Sequence, residues 1–106
     1  MKQGVVLILL FFGLSACISH HYSIDGDRMI MVLTYPDAKK VVLFCSFDGF
    51  KPRAAKKVSS KWESIVPAGE TFRYFYQVDD QLFVPECAMK EEDDFGFENC
   101  IYDPHL

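Results

Sequence analysis

The sequence predicts an all-β fold, a small antiparallel β-sandwich or partly open barrel, on three observations. Residues 71–78, TFRYFYQV, alternate side chains at the period of a half-buried strand. Short β-branched and aromatic runs follow one another, cut by Gly, Pro and Asp turn signals at roughly 8 to 12 residue spacing. Fourteen aromatic residues lie between Tyr22 and Tyr102, far too many for a disordered chain and enough for one core. No internal repeat or low-complexity segment interrupts this pattern.

The N-terminus reads differently. Met1-Lys2-Gln3 is a short positive start, and residues 4–14 form an apolar run of export-signal length, followed by small residues at Ser15 and Ala16. An uncut anchor needs roughly 20 apolar residues to span a bilayer, and this run stops short. Leu14-Ser15-Ala16-Cys17 resembles the lipobox of bacterial lipoproteins. That resemblance implies cleavage before Cys17 once its thiol carries lipid, so that Cys17 is the lipidation site. It also implies a membrane partner held through the N-terminal lipid, with the chain facing the periplasm. Ile18 is not the aspartate associated with inner-membrane retention, which points to the outer membrane. A cleaved secretory signal without lipid is the competing reading, and it leaves the Cys17 thiol without a role. The expected organisation is a helical signal peptide over residues 1–16, a lipidated tether over 17–26, and a β domain over 27–106.

Along the mature chain, residues 18–26 are short and polar, and the expectation is a tether with little fixed structure. His20 and His21 within it lack a third ligand, so solvated linker is a better reading than metal. Asp25-Gly26-Asp27 reads as a turn. Residues 28–35 (RMIMVLTY) are the first expected strand, closed by a Tyr35-Pro36 turn. Residues 40–47 follow, with Val41, Leu43, Cys45 and Phe47 on one face and Val42 and Phe44 on the other. Two apolar faces suggest a central strand. Asp48-Gly49 is the next turn.

Residues 51–61 are open between a short helix, favoured by Ala54, Ala55, Lys56 and Lys57, and a basic loop. Trp62, Ile65 and Val66 regain apolar character before the turn at Pro67-Ala68-Gly69-Glu70. In residues 71–78 the alternation assigns Phe72, Tyr74, Tyr76 and Val78 to the core. Asp79-Asp80 turns the chain so that residues 81–87 pair back, with Pro85 restricting that strand to an edge or ending it. The acidic run Glu91, Glu92, Asp93 and Asp94 is expected to be loop, anchored by burial of the Phe95 and Phe97 rings. Residues 100–102 make a short last strand.

Charge and cysteines bound the function. Loss of Lys2 leaves ten basic against fifteen acidic residues, about −5. Nucleic acid is an unsuitable partner for such a chain, because binding to phosphate relies on clustered Lys and Arg. Residues 39–61 hold seven basic side chains against Asp48 alone, while residues 79–103 hold nine acidic ones against Lys90 alone. Either the two halves face each other or solvent, or one of them docks a partner of opposite sign. With Cys17 carrying lipid, Cys45, Cys87 and Cys100 remain in an oxidising compartment. A Cys87–Cys100 bridge would close a loop of about a dozen residues, worth roughly 3 kcal/mol. A Cys45–Cys87 bridge is the alternative.

Catalytic chemistry is not encoded in any recognisable form. There is no G-x-S-x-G, H-E-x-x-H, C-x-x-C or phosphate-cradling glycine loop. Asp93, Asp94 and Glu98 lack the order of a calcium loop, and His105 sits at the terminus. No catalytic residue, metal site or cofactor is expected, and function should reside in a surface.

The segment IVPAGETFRYFYQVDDQLFVPE, with LFCSFDG before it, resembles small enterobacterial lipoproteins described as type VI secretion immunity proteins. The shared features are a lipobox, a cysteine-bearing strand, and a P-x-G turn leading into an aromatic strand and hairpin. The resemblance implies a non-enzymatic periplasmic protein that neutralises a toxic effector, a lipase or another toxin, by tight binding. The acidic segment with Glu91, Glu92, Asp93, Asp94, Phe95 and Phe97 is the expected contact region. The rival class is a structural or accessory envelope lipoprotein. In that class the basic residues 51–61 would meet anionic headgroups at about 1 kcal/mol per Lys or Arg. A ligand-binding sandwich is a third reading, kept open by the aromatic content.

Overall fold

The computed structural model describes residues 18–105 of the 106-residue chain. The expected signal peptide and Cys17 lie outside the described residues. What is described is all-β: two antiparallel sheets closed face to face on one core, with a single 3₁₀ turn and no α-helix.

The chain opens with β1 (Ser19–Asp25) and β2 (Arg28–Thr34), paired over their whole length around a two-residue turn. Gly26 sits at φ +66° as the first turn residue, a conformation glycine adopts without steric cost and one suited to the twist of a hairpin. The tether expected over residues 18–26 is therefore a strand from Ser19 onward. Its sequence carries little apolar signal, and its order comes from seven backbone pairings with β2. In β2 the inward set Met29, Met31 and Leu33 is fully buried.

β3 (Val41–Cys45) runs into the 3₁₀ turn Ser46–Asp48, which Gly49 ends in the left-handed region. Residues 51–61, open between helix and loop, instead form two short strands and the start of a third. β4 (Arg53–Ala54) pairs β3, β5 (Lys56–Val58) pairs β6, and β6 spans Lys61–Pro67. The chain steps between the two sheets at Ala55, whose N–H donates to the Val41 carbonyl at 2.9 Å. Here the sheet edges on either side override the helix propensity of the alanines and lysines. Asp48 fixes this corner: its carboxylate accepts from the Lys51 N–H and from Arg53 Nε at 2.9 Å, while Arg53 Cζ lies 4.7 Å over the Phe47 ring.

β7 (Phe72–Val78) is the middle of the second sheet, and its alternation is as the sequence predicts: Phe72, Tyr74, Tyr76 and Val78 are buried. One edge of β7 pairs β3. The other edge is shared end to end by β8 (Gln81–Phe83) and β10 (Glu98–Tyr102), with β9 (Lys90–Glu92) outside β10. β8 ends ahead of Pro85, which has no N–H to continue a ladder. The first sheet runs β1-β2-β6-β5 and the second β4-β3-β7-β10-β9. Ten strands replace the five or six that turn spacing implied, because several have only two or three residues. Asp79 and Asp80 both have positive φ in the β7–β8 turn. The Asp79 carboxylate accepts from the Lys39 and Lys40 N–H groups at 2.8 and 2.9 Å, holding the entry to β3.

Between the sheets, Ala68 is clamped where the chain passes from β6 to β7. Its N–H donates to the Asp27 carbonyl at 3.0 Å, and its own carbonyl accepts from the Tyr102 hydroxyl at 3.1 Å. The Cys87–Cys100 disulfide is formed, and Cys45 is a buried free thiol, so the Cys45–Cys87 alternative is not adopted. Burial pushes the Cys45 thiol up to about 12, which keeps it protonated and inert at neutral pH.

Candidate functional site

The acidic segment is a hairpin rather than an extended loop. Glu91 and Glu92 belong to β9, and only residues 93–97 form the turn into β10. Asp93 organises that turn. Its Oδ1 accepts from the Phe95 N–H at 2.9 Å and the Phe97 N–H at 3.0 Å, and its own N–H donates to the Phe97 carbonyl at 2.8 Å. Gly96 takes φ +85°, closing the turn onto the Asp93 carbonyl. The aspartate thus satisfies donors that a five-residue turn would otherwise leave to water.

Burial of the two rings, expected from their apolar character, does not occur. Phe95 is 85% exposed and Phe97 56% exposed. The hairpin tip leaves Phe95 almost bare and covers Phe97 only in part, on the side toward Phe75 and Leu82. The fixed backbone instead presents two phenyl rings and the carboxylates of Glu92 and Asp94 to solvent. Replacing Asp93 with alanine is expected to speed hydrogen exchange at the Phe95 and Phe97 amides at least tenfold. The global unfolding free energy should change by no more than about 1 kcal/mol, since an exposed tip contributes little to global stability.

The tip continues into a second apolar surface that the sequence reading did not single out. On the outer face of the second sheet, Phe75 stacks on Phe44 at 5.0 Å between ring centroids and on Phe50 at 5.8 Å. Leu82 and Phe97 border Phe75 across a hollow of about 220 Å³. The signal was present in the alternation. Phe44 and Phe75 fall opposite the core set of their strands, and the apolar second face of β3, which marks it as an inner strand of its sheet, also carries one ring of this aromatic patch. Arg73 on the same face pairs with Glu91 at 3.0 Å, so one of the hairpin carboxylates is already neutralised.

At the other side of the sandwich, β1 and the segment leading to the disulfide enclose a cleft of about 470 Å³. His20, Tyr22, Tyr74, Cys87, Met89 and Tyr102 are among its walls. His20 does not behave as linker. Its Nε2 is 3.0 Å from the Tyr76 hydroxyl, and its ring stacks on Tyr74 at 5.7 Å. Burial, aided by the neighbouring His21, holds its pKa down at about 4, so the ring is neutral at pH 7. Burial likewise pushes the Tyr74 and Tyr76 phenols up. Among the described residues no three side chains gather as a metal site, and Asp93, Asp94 and Glu98 do not converge.

No protein-family model and no curated protein matches the chain.

Proposed function

We propose that this chain is a lipid-anchored periplasmic binding protein that neutralises a type VI secretion effector by occupying its surface, with the β9–β10 hairpin as the contact. The observation that carries the proposal is the exposure of Phe95 and Phe97 on a turn that Asp93 fixes from within. Exposed aromatics on a fixed backbone spare the backbone part of the entropy cost of docking and supply the anchors that dominate interface energetics. Carboxylates around them speed encounter with a basic surface and reject acidic ones. Lipid on Cys17 would confine the protein to the envelope and raise its effective concentration where an effector arrives.

The test is protection. Cells lacking the chain should grow normally alone and die when challenged by an effector-delivering neighbour. Restoring the full-length chain should rescue them. A Phe95→Ala, Phe97→Ala double variant that folds normally should weaken effector binding about 10- to 100-fold, by the usual scale for aromatic anchors, and lose rescue. Cys17→Ala should lose membrane attachment. A growth defect in unchallenged cells would instead favour the envelope-accessory role, and full rescue by the double variant would remove the hairpin from the contact.

A further inference from the structure

We propose that the groove between the Phe50–Phe75 rings and the β9–β10 hairpin receives an arginine side chain of a protein partner. In this arrangement the guanidinium lies over Phe75, and the Asn99 carboxamide oxygen and Asp94 carboxylate accept its N–H groups. The inference names the chemistry of what docks beside the hairpin tip. It rests on the binding-protein reading only for the source of that arginine.

The groove has a volume of about 560 Å³, with Phe50, Phe75, Asp93, Asp94 and Asn99 among its walls. Asn99 is the informative residue. It lies on β10 one step beyond the Cys100–Tyr74 pair, which places it beside Phe75 on the outer face. It is only 6% exposed, yet it lines both this groove and the adjoining hollow. Its carboxamide makes no hydrogen bond to a described residue. Among the described residues the one fully enclosed side-chain polar atom without a partner is Ser64 Oγ, on the other sheet, so the Asn99 amide is not sealed off, and the spaces it lines are this groove and the hollow beside it. Asn99 is thus a residue nine-tenths buried whose carboxamide is neither bonded nor sealed off, and on the wall of an aromatic-lined groove it offers a donor and an acceptor to a ligand.

Charge selects the ligand. Arg73 is paired with Glu91, and Asp93 commits one oxygen to the turn backbone. Glu92 and Asp94 have no ion-pair partner among the described residues, which leaves the wall negative. A cation is therefore favoured, and the flat ring next to a flat amide suits a planar guanidinium better than an ammonium. Guanidinium stacks on an aromatic face while forking to oxygen acceptors, whereas lysine offers only a point charge. The chain builds this arrangement once from its own residues. Arg53 lies over Phe47 and donates to Asp48 at 2.9 Å. The Phe75 ring, the Asp94 carboxylate and the Asn99 carboxamide supply the same kinds of group to one groove.

The full-length chain in detergent micelles can be titrated with the peptide acetyl-Gly-Arg-Gly-amide and with its citrulline counterpart, which keeps the shape and removes the charge. The expected result is a saturable NMR shift of the Asn99 side-chain amide and the Phe75 ring, at least tenfold tighter for arginine. Asn99→Leu should abolish the preference, and Asn99→Asp should tighten binding with a steeper salt dependence. Equal response to both peptides, or arginine-dependent shifts confined to residues outside the groove, would overturn the assignment. In that event a chain that still protects challenged cells keeps its immunity role without this groove. Selective arginine binding by a chain that protects nothing would keep the groove and remove that role.

Discussion

Removing the Cys87–Cys100 bridge, by reduction or by a Cys87→Ala, Cys100→Ala double variant, is expected to lower unfolding stability by about 3 kcal/mol. The two cysteines are 13 residues apart. The covalent link excludes unfolded conformations in which the segment from β8 to β10 is extended, and that lost freedom is the main source of the effect. The bridge also has a local consequence. Cys100 is fully buried in the middle of β10, and its partner ties the segment after Pro85 to the floor of the cleft beside β1. In a domain this small, about 3 kcal/mol corresponds to a fall in Tm of roughly 15 °C. Urea denaturation with and without reductant checks the magnitude. Cys45 supplies the control: it is buried and protonated, so Cys45→Ala should leave the response to reductant intact. Loss of that response in the Cys45 variant would mean that the bridge in solution joins different cysteines.

The legible parts of this fold are those where side-chain periodicity and burial agree. Phe72, Tyr74, Tyr76 and Val78 could be assigned to the core because β7 lies between β3 and the β8–β10 edge, with one face covered by the other sheet. The Cys87–Cys100 pairing was legible as one of two possible bridges, the one that encloses the acidic segment, and it is the one formed. Residues 19–25 were not legible, since SHHYSID has almost no apolar pattern and its order depends on a neighbouring strand's backbone and on one histidine reaching Tyr76. Residues 53–58 failed for a related reason: intrinsic propensity there is outweighed by two sheet edges that sequence does not reveal. Phe95 and Phe97 failed in the opposite sense. Apolar character implied burial, and a hairpin tip fixed by Asp93 leaves Phe95 almost bare and Phe97 covered only in part. The expected contact segment rests on its charge cluster and the lipoprotein resemblance, while the exposure of its two rings is visible only in three dimensions.

β1 should loosen in acid, with His20 as the cause. In the folded chain the His20 pKa is about 4, against 6.5 for the free side chain, because the ring is buried between Tyr74 and Tyr76. Between these two values the unfolded chain binds a proton that the folded chain refuses, so stability rises with pH across the window. The His20 contribution is fully present above pH 6.5, diminishes as pH falls, and is gone below pH 4. Between pH 7.5 and 4.5 the loss should be about 2 to 3 kcal/mol on the linkage relation. Protonation would also place a charge against the Tyr74 ring and force the Nε2 contact with Tyr76 to become a donation from histidine. Denaturant midpoints measured across that range test the claim, with His20→Gln as the comparison. Glutamine can still bond the Tyr76 hydroxyl but does not titrate, so its stability should be lower at pH 7.5 and nearly flat down to pH 4.5. A variant that retains the wild-type slope would assign the acid sensitivity to other groups. Hydrogen exchange at the β1 amides then locates the opening. Because β1 bonds only to β2 within its sheet and reaches the second sheet through His20 and through Tyr22 against Tyr102, those amides should lose protection at pH 5 before the β3–β7 ladder does.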